Sequence, residues 1–438
     1  MIPLAGKLKI AFYGDDFTGA TDTLSTAARA GLQSLLFLRL PTGAQLERAG
    51  PLDCLGIAGA ARAMSPEEMQ VELEPVGQLF ATLGAPVLHY KTCSTFDSAP
   101  HTGSIGAALR ILQPHAGNRF VPVVGGQPNL RRYCLFGNLF AAAGDDIYRI
   151  DRHPTMRQHP VTPMDEADLR LHLQKQGLQQ VISLGFPGYT QPPVQLDQQL
   201  EDLLARQPDA VLLDVSQPAD LAAIGRLLWT RAQQQRLVAA GPSSVVQALA
   251  AHWQLEAPSH DTGITAAQGP VLVLAGSLSP MTARQVAAAK SYDPLRLDAP
   301  RLAHDADYRS RMAAGIAARL NEGANVLACT SAGGMGDAGS TDGRALALAC
   351  GALLANVLQR HPLRRLGIAG GDTSSHAVQA LDAWGLSYLA QLAPGVALCR
   401  LHSDEPGLDG LEIMLKGGQM GGENLFEELL SGTSKVSA

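Results

Sequence analysis

Short apolar runs alternate with longer Ala-, Leu- and Gln-rich segments along the whole chain. The runs at 8–13, 35–39, 54–58, 87–91, 119–124, 181–185, 210–215 and 237–240 predict buried strands. The segments between them are long enough for crossover helices, so these strands are expected to lie mainly parallel. Around 254–269 the periodicity fails and small polar residues take over, which predicts a linker. A second series follows, with strands predicted near 271–275, 294–298, 325–330, 365–369, 386–392, 396–401 and 411–415. The expected fold is α/β: two α/β domains with mainly parallel sheets, at 1–255 and 268–438, and an interdomain active-site cleft.

The first strand runs into Tyr13-Gly-Asp-Asp-Phe-Thr-Gly-Ala-Thr-Asp22, which opens a helical segment stopped by Gly31. Asp15 and Asp16 thus stand where a strand turns into a helix, the edge of an open α/β sheet at which ligands collect. The plainer alternative is that one Asp caps the helix and the other is solvated.

The second domain opens with Val271-Leu-Val-Leu-Ala-Gly-Ser-Leu-Ser-Pro280, a strand and a tight turn into a helix. Backbone N–H groups with the Ser277 and Ser279 hydroxyls suit a phosphate there, or Ser279 is simply a cap. In Arg365-Leu-Gly-Ile-Ala-Gly-Gly-Asp-Thr-Ser374, Gly370 and Gly371 allow close approach of a bulky anion, and Asp372 can hold Mg²⁺. Lys416-Gly-Gly-Gln-Met-Gly-Gly422 reads as another backbone cradle, with Lys416 available to a phosphate. Gly334-Met-Gly-Asp-Ala-Gly339 matches the dinucleotide fingerprint, but the acidic residue expected ~20 positions on is missing.

In the first domain, the segment from Tyr90 to Gly106 leaves a strand carrying Lys91, Ser94, Thr95, Asp97, His101 and Ser104. A cation among short polar side chains suits a small polyol with a carboxylate. The Arg131/Arg132 pair and the proline-stiffened loop with Arg152 and Arg157 add forks for that carboxylate. His153 and His159 lack the pattern of a metal site, which favours an anion-binding or structural loop.

Composition narrows the classes. The chain has 438 residues, 46% hydrophobic and 17% charged, with a formal net charge of −6, which argues against a nucleic-acid partner. No apolar run reaches the ~18–20 residues of a membrane helix. The six cysteines are scattered with no C-x-x-C pair, so reduced thiols and a cytoplasmic location are expected.

Tyr13 to Asp22, Ala275-Gly-Ser-Leu-Ser-Pro280, Gly370-Gly-Asp-Thr-Ser374 and Lys416-Gly-Gly418 together resemble the four-carbon acid sugar kinase family, in order and spacing over nearly the whole chain. The resemblance implies an acid-sugar-binding N-terminal domain, a nucleotide-binding C-terminal domain and ATP-dependent phosphorylation of tetronates or 3-oxo-tetronates. It places Ser277, Gly370, Gly371, Asp372, Thr373 and Gly418 at ATP, and Asp15 and Asp16 at the sugar. Many members carry a Lys-x-x-Asp-Ser-Thr-Leu-Arg-Gly type segment. Here Cys93 replaces the first Asp of that segment and its arginine is gone, so a branched or 3-oxo acid is conceivable.

The expected activity is an ATP- and Mg²⁺-dependent phosphotransferase on a small sugar acid, in a possible homodimer. Asp16 is expected to be the general base or to orient the acceptor hydroxyl, with Asp15 supporting it or the metal. Substrate contacts are expected from Lys91, Ser94, Thr95, Asp97, Arg152 and Arg157, and nucleotide contacts from the residues above with Lys416. An NAD(P)-dependent oxidoreductase using Gly334 to Gly339, or a non-catalytic acid-sugar-binding protein, are the rivals.

Overall fold

The computed structural model describes residues 8–159, 161–255, 263–276, 279–330 and 343–433. It divides into two compact units. One comprises Met1–Asp15, Thr26–Ser34 and Thr42–Pro258; the other comprises Asp16–Ser25, Leu35–Pro41 and Ser259–Ala438. Both are α/β.

The strands of the chain's first part are β1 (Ile10–Gly14), β2 (Ser34–Phe37), β3 (Cys54–Ala58), β4 (Val87–Lys91), β5 (Pro122–Gln127), β6 (Arg132–Leu135), β7 (Asn138–Ala143), β8 (Asp146–Arg149), β9 (Val181–Leu184), β10 (Ala210–Asp214) and β11 (Leu237–Gly241). In the first unit a parallel sheet runs in the order β3-β1-β4-β11-β5-β10-β9. β1, β3, β4, β10 and β11 are buried at every residue, as expected for parallel strands covered on both faces. Even His89 in β4 is only 1% exposed; burial pushes its imidazole down to about 3, and the neutral ring's Nε2 bonds the Gly241 carbonyl at 2.9 Å. The chain leaves β1 for β3 on one side and returns to β4 on the other. The carboxyl ends of β1 and β4 therefore flank a topological switch point.

β6, β7 and β8 are absent from the strand prediction. They extend β5 as an antiparallel arm. Their arginines make the segment look like a polar loop, yet Leu135 pairs with Asn138 across a tight turn whose Phe136 and Gly137 have φ of 51° and 82°. Two successive positive φ angles make the primed turn that hairpins favour. Asp214, fully buried at the end of β10, accepts both turn N–H groups (Phe136 at 2.7 Å, Gly137 at 3.0 Å). Burial raises its carboxyl pKa against those bonds.

The second unit holds β12 (Val271–Ala275), β13 (Asp293–Arg296), β14 (Val326–Cys329), β15 (Arg365–Ala369), β16 (Gly385–Ala393), β17 (Val396–His402) and β18 (Glu412–Lys416). Its sheet order is β13-β14-β12-β15-β18-β17-β16-β2, parallel through β18 and antiparallel beyond. Val271, Val273, Leu398, Met414, Phe426 and Leu429 pack into its core. The edge strand is the unexpected one: β2 comes from the N-terminal sequence and pairs Leu36 and Phe37 with Leu386 and Gly385. The Phe37 ring packs at a tilt beside Trp384, centroids 6.1 Å apart, and Arg39 donates to the Ala383 carbonyl at 3.1 Å.

Candidate functional site

Asp15 follows β1, Lys91 ends β4, and the register sets Gly14 and Gly241 each opposite Lys91. Asp15 is 4% exposed, and Arg62 grips it with both arms of its fork, Nη2 to Oδ1 at 3.0 Å and Nε to Oδ2 at 3.4 Å. The same Nε lies 4.0 Å from Asp97 Oδ2, so one guanidinium serves two carboxylates. Thr95 donates to Asp97 Oδ1 at 2.5 Å and lies 3.0 Å from Cys93 Sγ. The loop between these residues is tightly turned. Phe96 is fully buried at φ 55°, and its N–H bonds the Cys93 carbonyl at 3.0 Å. A bulky residue in that region is retained only where its surroundings dictate it. Ser94 and Lys91 are also buried, and among the described residues Lys91 Nζ has no hydrogen-bond or ion-pair partner.

Arg62 was not among the expected site residues. Ala61-Arg62-Ala63 is a short turn after β3 with no motif around it, and only the fold brings it to Asp15. Removing it takes the shared guanidinium from two buried carboxylates. Arg62→Met should lower unfolding free energy by about 3 kcal/mol, the scale for breaking a buried pair from one side. Urea melts showing no loss would contradict this arrangement.

Asp16 sits differently. Its Oδ1 accepts the Gly19 N–H at 2.6 Å and its Oδ2 the Thr18 hydroxyl at 3.0 Å, so it caps the helix Phe17–Arg29. The boundary between the two units falls at the Asp15–Asp16 bond, and Thr18 Oγ1 lies 4.0 Å from where a Cβ at Gly417 would stand.

In the second unit, the carboxyl ends of β12, β15 and β18 carry glycines side by side. Gly276 donates to the Ala369 carbonyl and Gly370 to the Lys416 carbonyl, each at 2.9 Å. A Cβ on Gly276 would meet Thr373 Oγ1 at 2.2 Å, and Gly370 has φ 127°. Gly371 opens the helix Gly371–Gln379, and a Cβ there would meet nothing within 4 Å among the described residues. Backbone N–H groups at a helix start that lacks a side chain of its own at Gly371 fit a phosphate chain. Ser279 caps the helix Pro280–Ala288 and also donates to the Gly418 carbonyl. Ser277, the segment Gly334 to Gly339 and residues 256–262 of the expected linker lie outside the described residues, as does the side chain of Asp372.

Lys416 is fully buried and points inward: its Nζ donates to Thr282 Oγ1 at 2.8 Å and to the Gly418 carbonyl at 3.2 Å. It braces the glycine turn. Burial lowers its ammonium from 10.5 to about 7. The unfolded chain therefore binds the extra proton between these values, and stability from this group rises as pH climbs from about 7 towards 10.5. Lys416→Met should flatten that part of the Tm-against-pH curve. An unchanged slope would mean an ordinary ammonium.

Other expected residues serve the fold. Arg131, expected as part of an anion fork, instead donates to the Gly144 and Asp145 carbonyls and closes the β7–β8 turn; Arg132 donates to the Leu130 carbonyl. Ser104 caps the helix Ile105–Leu112. His153 accepts the Thr155 and Met156 N–H groups at Nδ1 and bonds the Ala142 carbonyl through Nε2, so neither nitrogen faces a metal. Arg152 and Arg157 are exposed on successive short 3₁₀ turns. Among the described residues no group of three or more His, Cys, Asp and Glu side chains could hold a metal ion, and no helix is long and apolar enough to cross a membrane. All six cysteines are free thiols; burial pushes Cys350 and Cys399 up to about 12.

A cluster of polar side chains on one α/β unit and a set of glycine-bearing strand ends on the other fit a phosphotransferase acting on a small polar molecule. Comparison with known proteins agrees. A sugar-binding N-terminal domain model matches residues 10–249, and a nucleotide-binding C-terminal domain model matches residues 272–426. The chain is 40% identical to a 3-oxo-isoapionate kinase of Paraburkholderia graminis, over 96% of this chain and 93% of the relative. It is 29% identical to a 3-oxo-tetronate kinase of Cupriavidus necator, over 98% of each. In fold it is similar to a crystal structure from Salmonella typhimurium LT2, provisionally named a tRNA synthase (TM-score 0.79, 24% identity, 96% of this chain and 98% of that one). The chain belongs to the four-carbon acid sugar kinase family.

Proposed function

We propose that this protein transfers the γ-phosphoryl group of ATP to a hydroxyl of a branched 3-oxo sugar acid, with 3-oxo-isoapionate as the first candidate. The observation that carries the reading is the cluster of Asp15, Arg62, Lys91, Thr95 and Asp97 at the switch point of the first sheet. It joins hydroxyl acceptors to Lys91, a cation without a partner among the described residues, the donor set a polyhydroxy acid requires. The 40% identity to the Paraburkholderia graminis enzyme, against 29% to the Cupriavidus necator one, favours a branched acceptor over a plain tetronate. Cys93 in place of the first Asp of the segment many members carry, and the loss of that segment's arginine, agree with a changed acceptor.

In this proposal Lys91, Ser94, Thr95 and Asp97 hold the acid, and the exposed Arg152 and Arg157 attract it. Arg62 positions Asp15 and Asp97. Asp16 takes the proton from the attacking hydroxyl, with Asp15 beside it in the chain. Gly370, Gly371, Thr373 and Gly418, with Ser277, hold the nucleotide, and Lys416 keeps the Gly418 turn in shape. Mg²⁺ needs only one or two protein carboxylates beside nucleotide phosphates and water, and Asp372 is the candidate. Bound Mg·ATP supplies the phosphoryl group and neutralises its charge.

The test is an ADP-release screen across 3-oxo-isoapionate, 3-oxo-tetronates, tetronates and neutral tetritols. The branched 3-oxo acid should give the highest kcat/KM and the tetritols essentially none. Equal turnover of tetritols and acids would remove the carboxylate-recognition roles.

A further inference from the structure

β11 ends at Gly241, level with Lys91 on the neighbouring strand, and the Thr92 N–H bonds the Gly241 carbonyl at 3.0 Å. Pro242 and Ser243 then lead directly into the nine-residue helix Ser244–His252. Ser244, its first residue, is 0% exposed, and its hydroxyl has no hydrogen-bond partner among the described residues. Lys91 is 3% exposed and likewise unpartnered. A buried hydroxyl or amine left without a partner costs free energy in the unliganded protein. Here two such groups stand at the carboxyl ends of adjacent strands, beside a helix N-terminus, and each can donate to an anion.

We infer that Ser244, the N-terminus of its helix and Lys91 form a seat for the carboxylate of the acceptor acid. This rests on the sugar-acid reading above and adds where the acid's charge is held. The carboxylates of Asp15 and Asp97 share Arg62 on the β1 side, so an anionic ligand group is repelled there and drawn towards β11. The acid's hydroxyls then face Asp15, Thr95 and Asp97. Neither composition nor motif marks Ser244: Gly241-Pro-Ser-Ser244 reads as an ordinary strand-to-helix turn.

The test is calorimetric binding of threonate, and of any acid that supports ADP release, to the full chain without ATP, with threitol as the neutral control. Ser244→Ala should weaken acid binding about 5–10-fold and Ser244→Asp about 100-fold or more, with ATP affinity unchanged; losing one neutral and one charge-reversed contact sets those scales. Because the Ser244 hydroxyl has no partner among the described residues, Ser244→Ala should leave the unliganded Tm unchanged or raised; a hydroxyl with a purely structural role would lower it. Folded Ser244→Ala and Ser244→Asp proteins that bind acids like wild type would overturn the seat, as would a wild-type protein binding no sugar acid. If acids bind with this dependence on Ser244 but no ADP is released, the kinase reading falls and the seat stands. If ADP release persists with an unchanged acid KM in Ser244→Asp, the seat falls and the kinase reading stands.

Discussion

Asp16→Asn should lower kcat by ~10²–10⁴-fold, the range for loss of a positioned general base. Asparagine is as good an N-cap as aspartate, so its amide oxygen can still accept the Gly19 N–H that Asp16 accepts at 2.6 Å. The helix should survive, and KM for ATP should stay near wild type. Asp16→Ala separates the two roles: it should lose the same activity and, in addition, about 1 kcal/mol of stability through the missing cap. If Asp16→Asn turns over near the wild-type rate while Asp16→Ala is merely less stable, Asp16 is a cap and nothing more. The base assignment would then pass to Asp15 or be dropped.

Gly276→Val should raise KM for ATP by more than about 10-fold and destabilise the protein by ~1–3 kcal/mol, as overpacking does. Its first side-chain carbon would lie 2.2 Å from Thr373 Oγ1 and 2.9 Å from Thr373 Cγ2, so the start of the helix Gly371–Gln379 must move. Gly371→Ala is the sharper partner experiment. Among the described residues nothing lies within 4 Å of a Cβ there, so the unliganded fold should tolerate the methyl with an unchanged Tm. If the backbone at this turn cradles phosphate, that methyl still crowds the ligand, and KM for ATP should rise about 10-fold. Normal ATP kinetics in both variants would place the nucleotide elsewhere.

Much of the sheet was legible because parallel strands buried on both faces leave continuous apolar runs, as in Ile10–Gly14, Leu237–Gly241 and Val271–Ala275. The β6–β8 arm was not, because its strands are short and half-exposed and its turn is set by Phe136 and Gly137 held on a distant Asp214. The strand at 35–39 was readable, but its partner at 385–386 was not, since local periodicity says nothing of which sheet a strand joins. The same limit applies to the site. Lys91, Thr95 and Asp97 stand close in sequence and announce themselves, whereas Arg62 and Ser244 carry ordinary local sequence and acquire meaning from strand order alone. Lys416 is the reverse case: its glycine context suggested a phosphate ligand, and burial against Thr282 and the Gly418 carbonyl makes it a brace.

The most direct test of the central claim is ³¹P NMR of the protein with Mg·ATP and 3-oxo-isoapionate, followed to completion. The account predicts one new phosphomonoester signal, coupled to carbon-bound protons of the acid, growing in equal amount with ADP and with no more inorganic phosphate than in a sample lacking acceptor. ADP accompanied only by inorganic phosphate, or intact ATP alongside reduction of added NAD(P), would contradict it.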